Sequence, residues 1–314
     1  MADTPGLGPG GASRVGSSPT EGTTPRLSNL FDGRGVTPRG ISMLSRYSII
    51  MKIHFVGLSC FLIENKRGFR ILVDSFNDAP EWTLGPVFPK EFQGKPFGAN
   101  IVLMSEPDAD HAYAPGGWLQ NAPATRPDSN PFPGLNLRGT VVYEHNGDVN
   151  IAWHYTVDGL RVAHFADHAH VLAAEQLFEL GSPDIIFLSP PKTDDKSALD
   201  IIRKNIEQLR PKVVVWAHHI VPEDLPKTDD PSQLRQYFQG YFQAHASTNQ
   251  GYRGTDSFME ICYVLENAAV LNKEYAGLTM DTPTLEIVED ILERAKDGPQ
   301  AVLFRSMLAR SVVE

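Results

Sequence analysis

Residues 100–113 read NIVLMSEPDADHAY. The run from Ile101 to Met104 is short and apolar on both faces, as in a strand buried within a sheet. It opens directly into Glu106, Asp108, Asp110 and His111. Acids crowded on a buried strand tip repel one another, and they and an imidazole beside them lose hydration, unless a cation meets them. The stretch therefore predicts a strand that delivers metal ligands, and other strands should end in the same way.

Short runs rich in Val, Ile and Phe recur along the chain: SIIMKIHFVG, CFLIEN, FRILVDSF, GTVVYE, NIAWHYTV, LRVAHFA, DIIFLSP and KVVVWAHH. Each reads as a strand. Asn65-Lys66-Arg67-Gly68 and Val157-Asp158-Gly159-Leu160 supply hairpin turns, so the first half is mostly antiparallel sheet. The segment VLAAEQLFELG, 171–181, is predicted helical, with Leu172, Leu177 and Leu180 near one face and a stop at Gly181. SALDIIRKNIEQLRP, 197–211, spaces Leu199, Ile202, Ile206 and Leu209 at helical intervals. Each helix leads into a wholly apolar strand, which implies a sheet covered on both faces. PSQLRQYFQGYFQAH reads as a helix whose stripe of Tyr237, Phe238, Tyr241 and Phe242 is core packing before it is a ligand box. SFMEICYVLE reads as a last strand, and TPTLEIVEDILERAKDG as a helix capped at Thr282 with Pro283 in its first turn.

A chain of 314 residues with 41% hydrophobic content supports a large core. Residues 1–46, dense in Gly, Pro, Ser and Thr, read as a flexible leader. Residues 47–278 form the main domain in this reading, and 279–314 a C-terminal helical extension packed on it. The net charge of -10, with no Lys/Arg stripe, argues against a nucleic-acid partner. No apolar stretch approaches the roughly 18 to 20 residues that span a bilayer, so a soluble chain with no membrane partner is expected. Cys60 and Cys262 lie far apart with no CxxC, which suggests neither a disulfide framework nor a cysteine metal site and fits the reducing cytoplasm.

Eight of the ten histidines lie between positions 111 and 219. Several fall at strand ends: His111, His145, His164, His168, His218 and His219. Asp110 precedes His111 as Asp167 precedes His168. A metal site needs ligands from separate segments converging at one sheet edge, and Asp110, His111, His145, Asp167 and His218 are the candidate set. His54, His154 and His245, standing apart, read as ordinary hydrogen-bonded histidines. His219 should face away from His218 if the strand continues.

Taken in order, MKIHFVGLSCFLIEN, ILVDSF, DADH, a lone histidine, DGLRVAHFADHAHVL, PDIIFLSP and LRPKVVVWAHH resemble the metallo-β-lactamase superfamily. The nearest branch is that of small-molecule hydrolases similar to the ascorbate-phosphate lactonase. The resemblance implies an α/β fold, a four-layer αββα sandwich with the site at the shared sheet edge. It also implies one or two divalent metal ions, manganese, iron or zinc. The family's HxHxDH motif falls on Glu106, Asp108, Asp110 and His111, which here spell ExDxDH. The next ligand histidine falls on His145, the bridging aspartate on Asp167 and the last histidine on His218, while Asp74 matches the structural aspartate that closes the third strand. Both leading histidines are thus acids, Ala166 replaces the glycine before the bridging aspartate, and Leu58 stands where this branch usually has histidine. Asp110 and His168 are the catalytic candidates, His168 as proton donor or substrate contact. Lys192, Thr193 and Asp194 fall near the pocket, with Tyr113 and Trp118 at its mouth.

Four carboxylates, Glu106, Asp108, Asp110 and Asp167, would cancel the charge of two divalent ions and so hold hydroxide less tightly. Oxygen-rich ligation also favours manganese or iron over zinc. The leading expectation is a metal-dependent hydrolase of a small ester, lactone, amide or phosphate-bearing metabolite, with that small molecule as its partner and a homo-oligomer left open. A di-iron or dimanganese oxidase or oxygenase is the rival enzyme, and a non-catalytic binding protein the third reading. A single ion on Asp110, His111 and His218 also stays open.

Overall fold

The computed structural model describes residues 48–76, 99–107, 111, 133–222, 224–228, 230–245 and 255–308. Strands β1 (Ile49–Gly57), β2 (Cys60–Asn65), β3 (Arg70–Val73) and β4 (Ile101–Leu103) come first. They are followed by the antiparallel run β5 (Arg138–Tyr143), β6 (Val149–Val157) and β7 (Leu160–His164). Helices and strands then alternate: α1 (Ala174–Leu180), β8 (Ile185–Leu188), α2 (Leu199–Leu209) and β9 (Val213–Trp216). After them come α3 (Pro231–His245), α4 (Thr255–Glu274), β10 (Leu278–Met280), β11 (Thr284–Val288), α5 (Glu289–Arg294) and β12 (Gln300–Phe304).

Local chemistry sets the turns. Asp158 and Gly159 take φ of 46° and 87°, the two positive values that a tight hairpin between β6 and β7 requires. At the β2–β3 turn the Asn65 side chain accepts hydrogen bonds from the amides of Arg67 and Phe69. Gly181 closes α1, its amide bonding the Leu177 carbonyl.

The strands form two sheets, of order β11-β1-β2-β3-β4 and β10-β12-β9-β8-β7-β6-β5. Strands β7, β8, β9, β12 and β10 are mutually parallel. The apolar strands β8 and β9 show how the layers are made. Ile185, Phe187, Val213 and Val215 enter the cluster between the two sheets. Their alternate neighbours Ile186, Leu188, Val214 and Trp216 enter a second cluster against α1, α2, α3 and α4. On the other flank Ile291 and Leu292 of α5 pack against the inter-sheet cluster. The result is the αββα sandwich expected from the sequence.

Two expectations are corrected. SFMEICYVLE lies inside α4, a helix of 20 residues. Its buried Cys262, Leu265, Ala268, Ala269 and Asn272 recur at three- and four-residue intervals, a period visible only when the run is followed through NAAVL. TPTLEIVEDILERAKDG is α-helical only over Glu289–Arg294, with a 3-10 turn over Ala295–Asp297. Its Thr284–Val288 portion is β11, with Leu285 and Ile287 buried, paired antiparallel with β1. Leu and β-branched residues at period two prefer the pleated edge of β1 to a helix turn. Residues 278–304 thus add strands to both sheets in place of the helix read from sequence. The stripe on α3 behaves as anticipated at Phe238, which is buried in the helix-side cluster. Among the described residues no helix is long and apolar enough to cross a membrane.

The Phe61 ring is fully buried, 5.2 Å from that of Phe55 and 4.6 Å from that of Phe187. Phe61→Ala should lower the unfolding free energy by about 3 to 5 kcal/mol. Phe178, 89% exposed, should tolerate alanine within about 0.5 kcal/mol. Urea denaturation of the two variants checks the contrast.

Candidate metal centre

The ends of β3, β4, β5, β7 and β9 carry the buried polar groups of one site. Asp74, directly after β3, has no exposed surface. Its carboxylate accepts from the Ser105 amide at 2.9 Å and the Ser105 hydroxyl at 2.8 Å, both from the turn after β4. It also accepts from His111 Nδ1 at 3.0 Å. This fixes the tautomer and tilt of the His111 ring and turns Nε2 toward Glu106 Oε1 at 3.0 Å and Asp167 Oδ2 at 3.6 Å. His218, just beyond β9, completes the group: its Nδ1 lies 2.6 Å from Asp167 Oδ1 and 3.0 Å from the Ser59 hydroxyl. The His111 and His218 rings stack at 5.3 Å.

His111, Asp167 and His218 are buried, and one ligand atom from each lies within 4.8 Å of the others. Two imidazoles and a carboxylate suit a divalent transition ion. The local electrostatics ask for one. Burial opposes the charged form of His111, yet the Asp167 and Asp74 carboxylates raise its pKa well above the ordinary value. Burial likewise opposes ionised Asp167, and His218, Lys192 and His111 together hold its carboxyl well below the usual range.

Backbone conformation is unusual at the same strand ends. Leu58, Asp74, Ala166 and His218 take φ of 51°, 51°, 47° and 59°. Non-glycine residues persist there only where surrounding contacts enforce it. For His218 the enforcement is a pair of backbone bonds across Leu58: His218 N to the Leu58 carbonyl, and Leu58 N to the His219 carbonyl. His219 turns away as expected, donating from Nε2 to the Phe304 carbonyl at 3.0 Å and stacking on Phe55.

Of the ligands expected from sequence, Glu106, His111, Asp167 and His218 come together. Asp108 and Asp110 lie outside the described residues, as do Tyr113 and Trp118. His145 is exposed at the rim of a cavity that also reaches Asp167 and His168. Its neighbour Glu144 is the inward residue: buried, with its carboxyl hydrogen-bonded to that of Glu106. Burial and Glu106 push the Glu144 pKa up to about 9, so it carries the proton that the pair shares. On Glu106, hydrogen bonds from His111 and Glu144 overcome burial and keep its pKa low. Glu144 escaped sequence reasoning, although the alternation Thr140, Val142, Glu144 inward against Val141, Tyr143, His145 outward is readable from the strand's period of two.

His168 is buried, with Nδ1 donating to the Tyr143 carbonyl at 3.1 Å. Burial lowers its pKa to about 4, leaving the ring neutral. Lys192, after Pro190-Pro191, places its ammonium against Asp167 Oδ2. Asp74→Asn should loosen the His111 ring and weaken metal affinity about 10- to 100-fold while the chain stays folded. Metal titration beside circular dichroism tests this.

Among solved structures the chain is similar to a Thermotoga maritima protein assigned as a Zn-dependent hydrolase of the metallo-β-lactamase superfamily, at 18% identity and a TM-score of 0.45, covering 81% of this chain and 98% of that one. A metallo hydrolase from the archaeon Ignicoccus hospitalis matches at 19% identity and a TM-score of 0.42, covering 61% of this chain and 91% of that one. An isothiocyanate hydrolase from Delia radicum gut bacteria matches at 12% identity and a TM-score of 0.38, covering 61% and 93%. At these values the likeness speaks to neither substrate nor mechanism. No curated protein matches the sequence. The beta-lactamase superfamily domain matches residues 52–218, over half of the chain, and the protein belongs to that superfamily.

Proposed function

We propose that the protein is a metal-dependent hydrolase of a small ester, lactone or amide with a compact apolar part. The observation that carries this reading is the buried trio His111, Asp167 and His218 beside a cavity of about 190 Å³ that opens on Asp167. A divalent ion held by the trio supplies Lewis acidity and lowers the pKa of coordinated water. Asp110, next to His111 in sequence, is proposed as a further ligand.

The cavity argues about substrate through its walls. Pro190, Pro191, Ala198, Ile201 and Ile202 give it apolar wall, and Asp167, His168, Lys192 and Glu260 are among its ionisable groups. Among the described residues a phosphate-bearing substrate would find one cation there, already paired with Asp167, so the uncharged acyl compounds are preferred over phosphate esters. His168 brings to the cavity a neutral ring whose Nδ1 proton is committed to Tyr143 and whose buried Nε2 has no hydrogen-bond partner among the described residues. At neutral pH that nitrogen is unprotonated and accepts a hydrogen bond; it does not donate one. The free, buried Cys60 and Cys262 are in keeping with a reducing, cytoplasmic setting.

One observation favours the oxygen-activating alternative: three carboxylates, Glu106, Glu144 and Asp167, crowd the site, an environment suited to iron. Oxygen uptake by iron-loaded protein with a visible absorption band would turn the assignment that way.

For hydrolysis, His111→Ala and Asp167→Ala should lose both bound metal and activity toward ester, lactone and amide panels. His168→Ala should keep the metal and lose about 100-fold or more in kcat. Elemental analysis with steady-state kinetics measures both; wild-type turnover by Asp167→Ala would sink the site assignment.

A further inference from the structure

We propose that the Lys192 ammonium is a built-in cation that takes the place of a second metal ion, so that each chain holds one divalent ion on His111, Asp167 and His218. The inference rests on the metal-dependent reading above and concerns how many ions that site admits.

Both oxygens of Asp167 are engaged. Oδ1 faces His218 Nδ1 at 2.6 Å, while Oδ2 meets Lys192 Nζ and lies 3.6 Å from His111 Nε2. A second dication bound to Oδ2 would sit at ion-pair distance from the ammonium, where like-charge repulsion inside a partly desolvated site is severe. Among the described residues the other carboxylates nearby are already engaged. Glu106 and Glu144 are hydrogen-bonded to each other, and Glu106 is also engaged by His111.

Lys192 is placed by the fold. The carbonyls on either side of it, those of Pro191 and Thr193, both accept from the amide of Asn267 at 2.8 and 2.9 Å. Asn267 is fully buried on α4, and its own oxygen accepts from Lys196 at 2.7 Å. A buried side chain that clasps the backbone around one lysine fixes where that lysine's stem begins. The side chain is four-fifths buried, 21% exposed, and its reach ends on the carboxylate. A surface lysine pairing by chance has neither the clasp nor the burial.

The test is ion stoichiometry on the full chain, equilibrated with excess zinc chloride, desalted, and measured by elemental analysis alongside circular dichroism. One ion per chain is expected for the wild type and for Lys192→Arg, which keeps the charge. Lys192→Met, which keeps the stem and removes the charge, should rise to two. Two ions in the wild type overturn the proposal, as does one ion in the wild type and in Lys192→Met alike. No bound ion in the wild type would instead overturn the metal-dependent reading on which the proposal stands.

Discussion

A carboxylate with no access to water organises this molecule. Asp74 lies at the end of β3, and burying its charge is tolerable only if several donors converge on it. The donors are the Ser105 amide and hydroxyl and the His111 ring. His164 at the end of β7, in the opposite sheet, lies 3.4 Å away. His164 is itself neutral, since burial lowers its pKa to about 4, and its Nε2 proton goes to the Ser59 carbonyl at 3.0 Å. The demand of one anion therefore ties β3 to the turn after β4 and to His111, while His164 beside it joins the end of β7 to the β1–β2 turn, and that is the edge where the candidate ligands stand.

The second organising fact is an excess of negative charge around the trio. Asp167 and Glu106 stay ionised, whereas Glu144 is forced to hold its proton. Three devices share the work of neutralisation: protonation of Glu144, the Lys192 ammonium, and the positive potential gathered on His111. A divalent ion held by the trio would add to this set and not stand alone. Water bound there would be activated against a lower positive potential than two bare dications would create.

Much of this was legible in the chain. Short apolar runs marked β1 to β9, because strands buried on two faces leave no polar residue to confuse the period, whereas β10 and β12 were not read. The candidate ligands His111, Asp167 and His218, which the fold brings together, were picked out by their place just after such runs. Asp74 was found only through family resemblance. What escaped reading did so for physical reasons. In α4 the small residues Ala268 and Ala269 and the buried polar Asn267 and Asn272 blur the apolar stripe, and a short window catches only its β-like beginning. β11 earns its conformation from β1, a partner more than two hundred positions away, which no local propensity records. Lys192 was placed near the pocket through family resemblance, and Glu144 went unread although the period of two in β5 turns it inward.

The closing strand gives the site a history. β12 pairs with β9, and the Phe304 carbonyl takes the His219 proton, while Leu58 bonds the backbone on both sides of His218. The last imidazole is thus gripped from segments near opposite ends of the sequence. On the ribosome every candidate ligand has emerged long before residue 304, yet the grip is incomplete until that residue arrives. A nascent chain halted before β12 would carry all the candidate ligands and lack the frame that aims them.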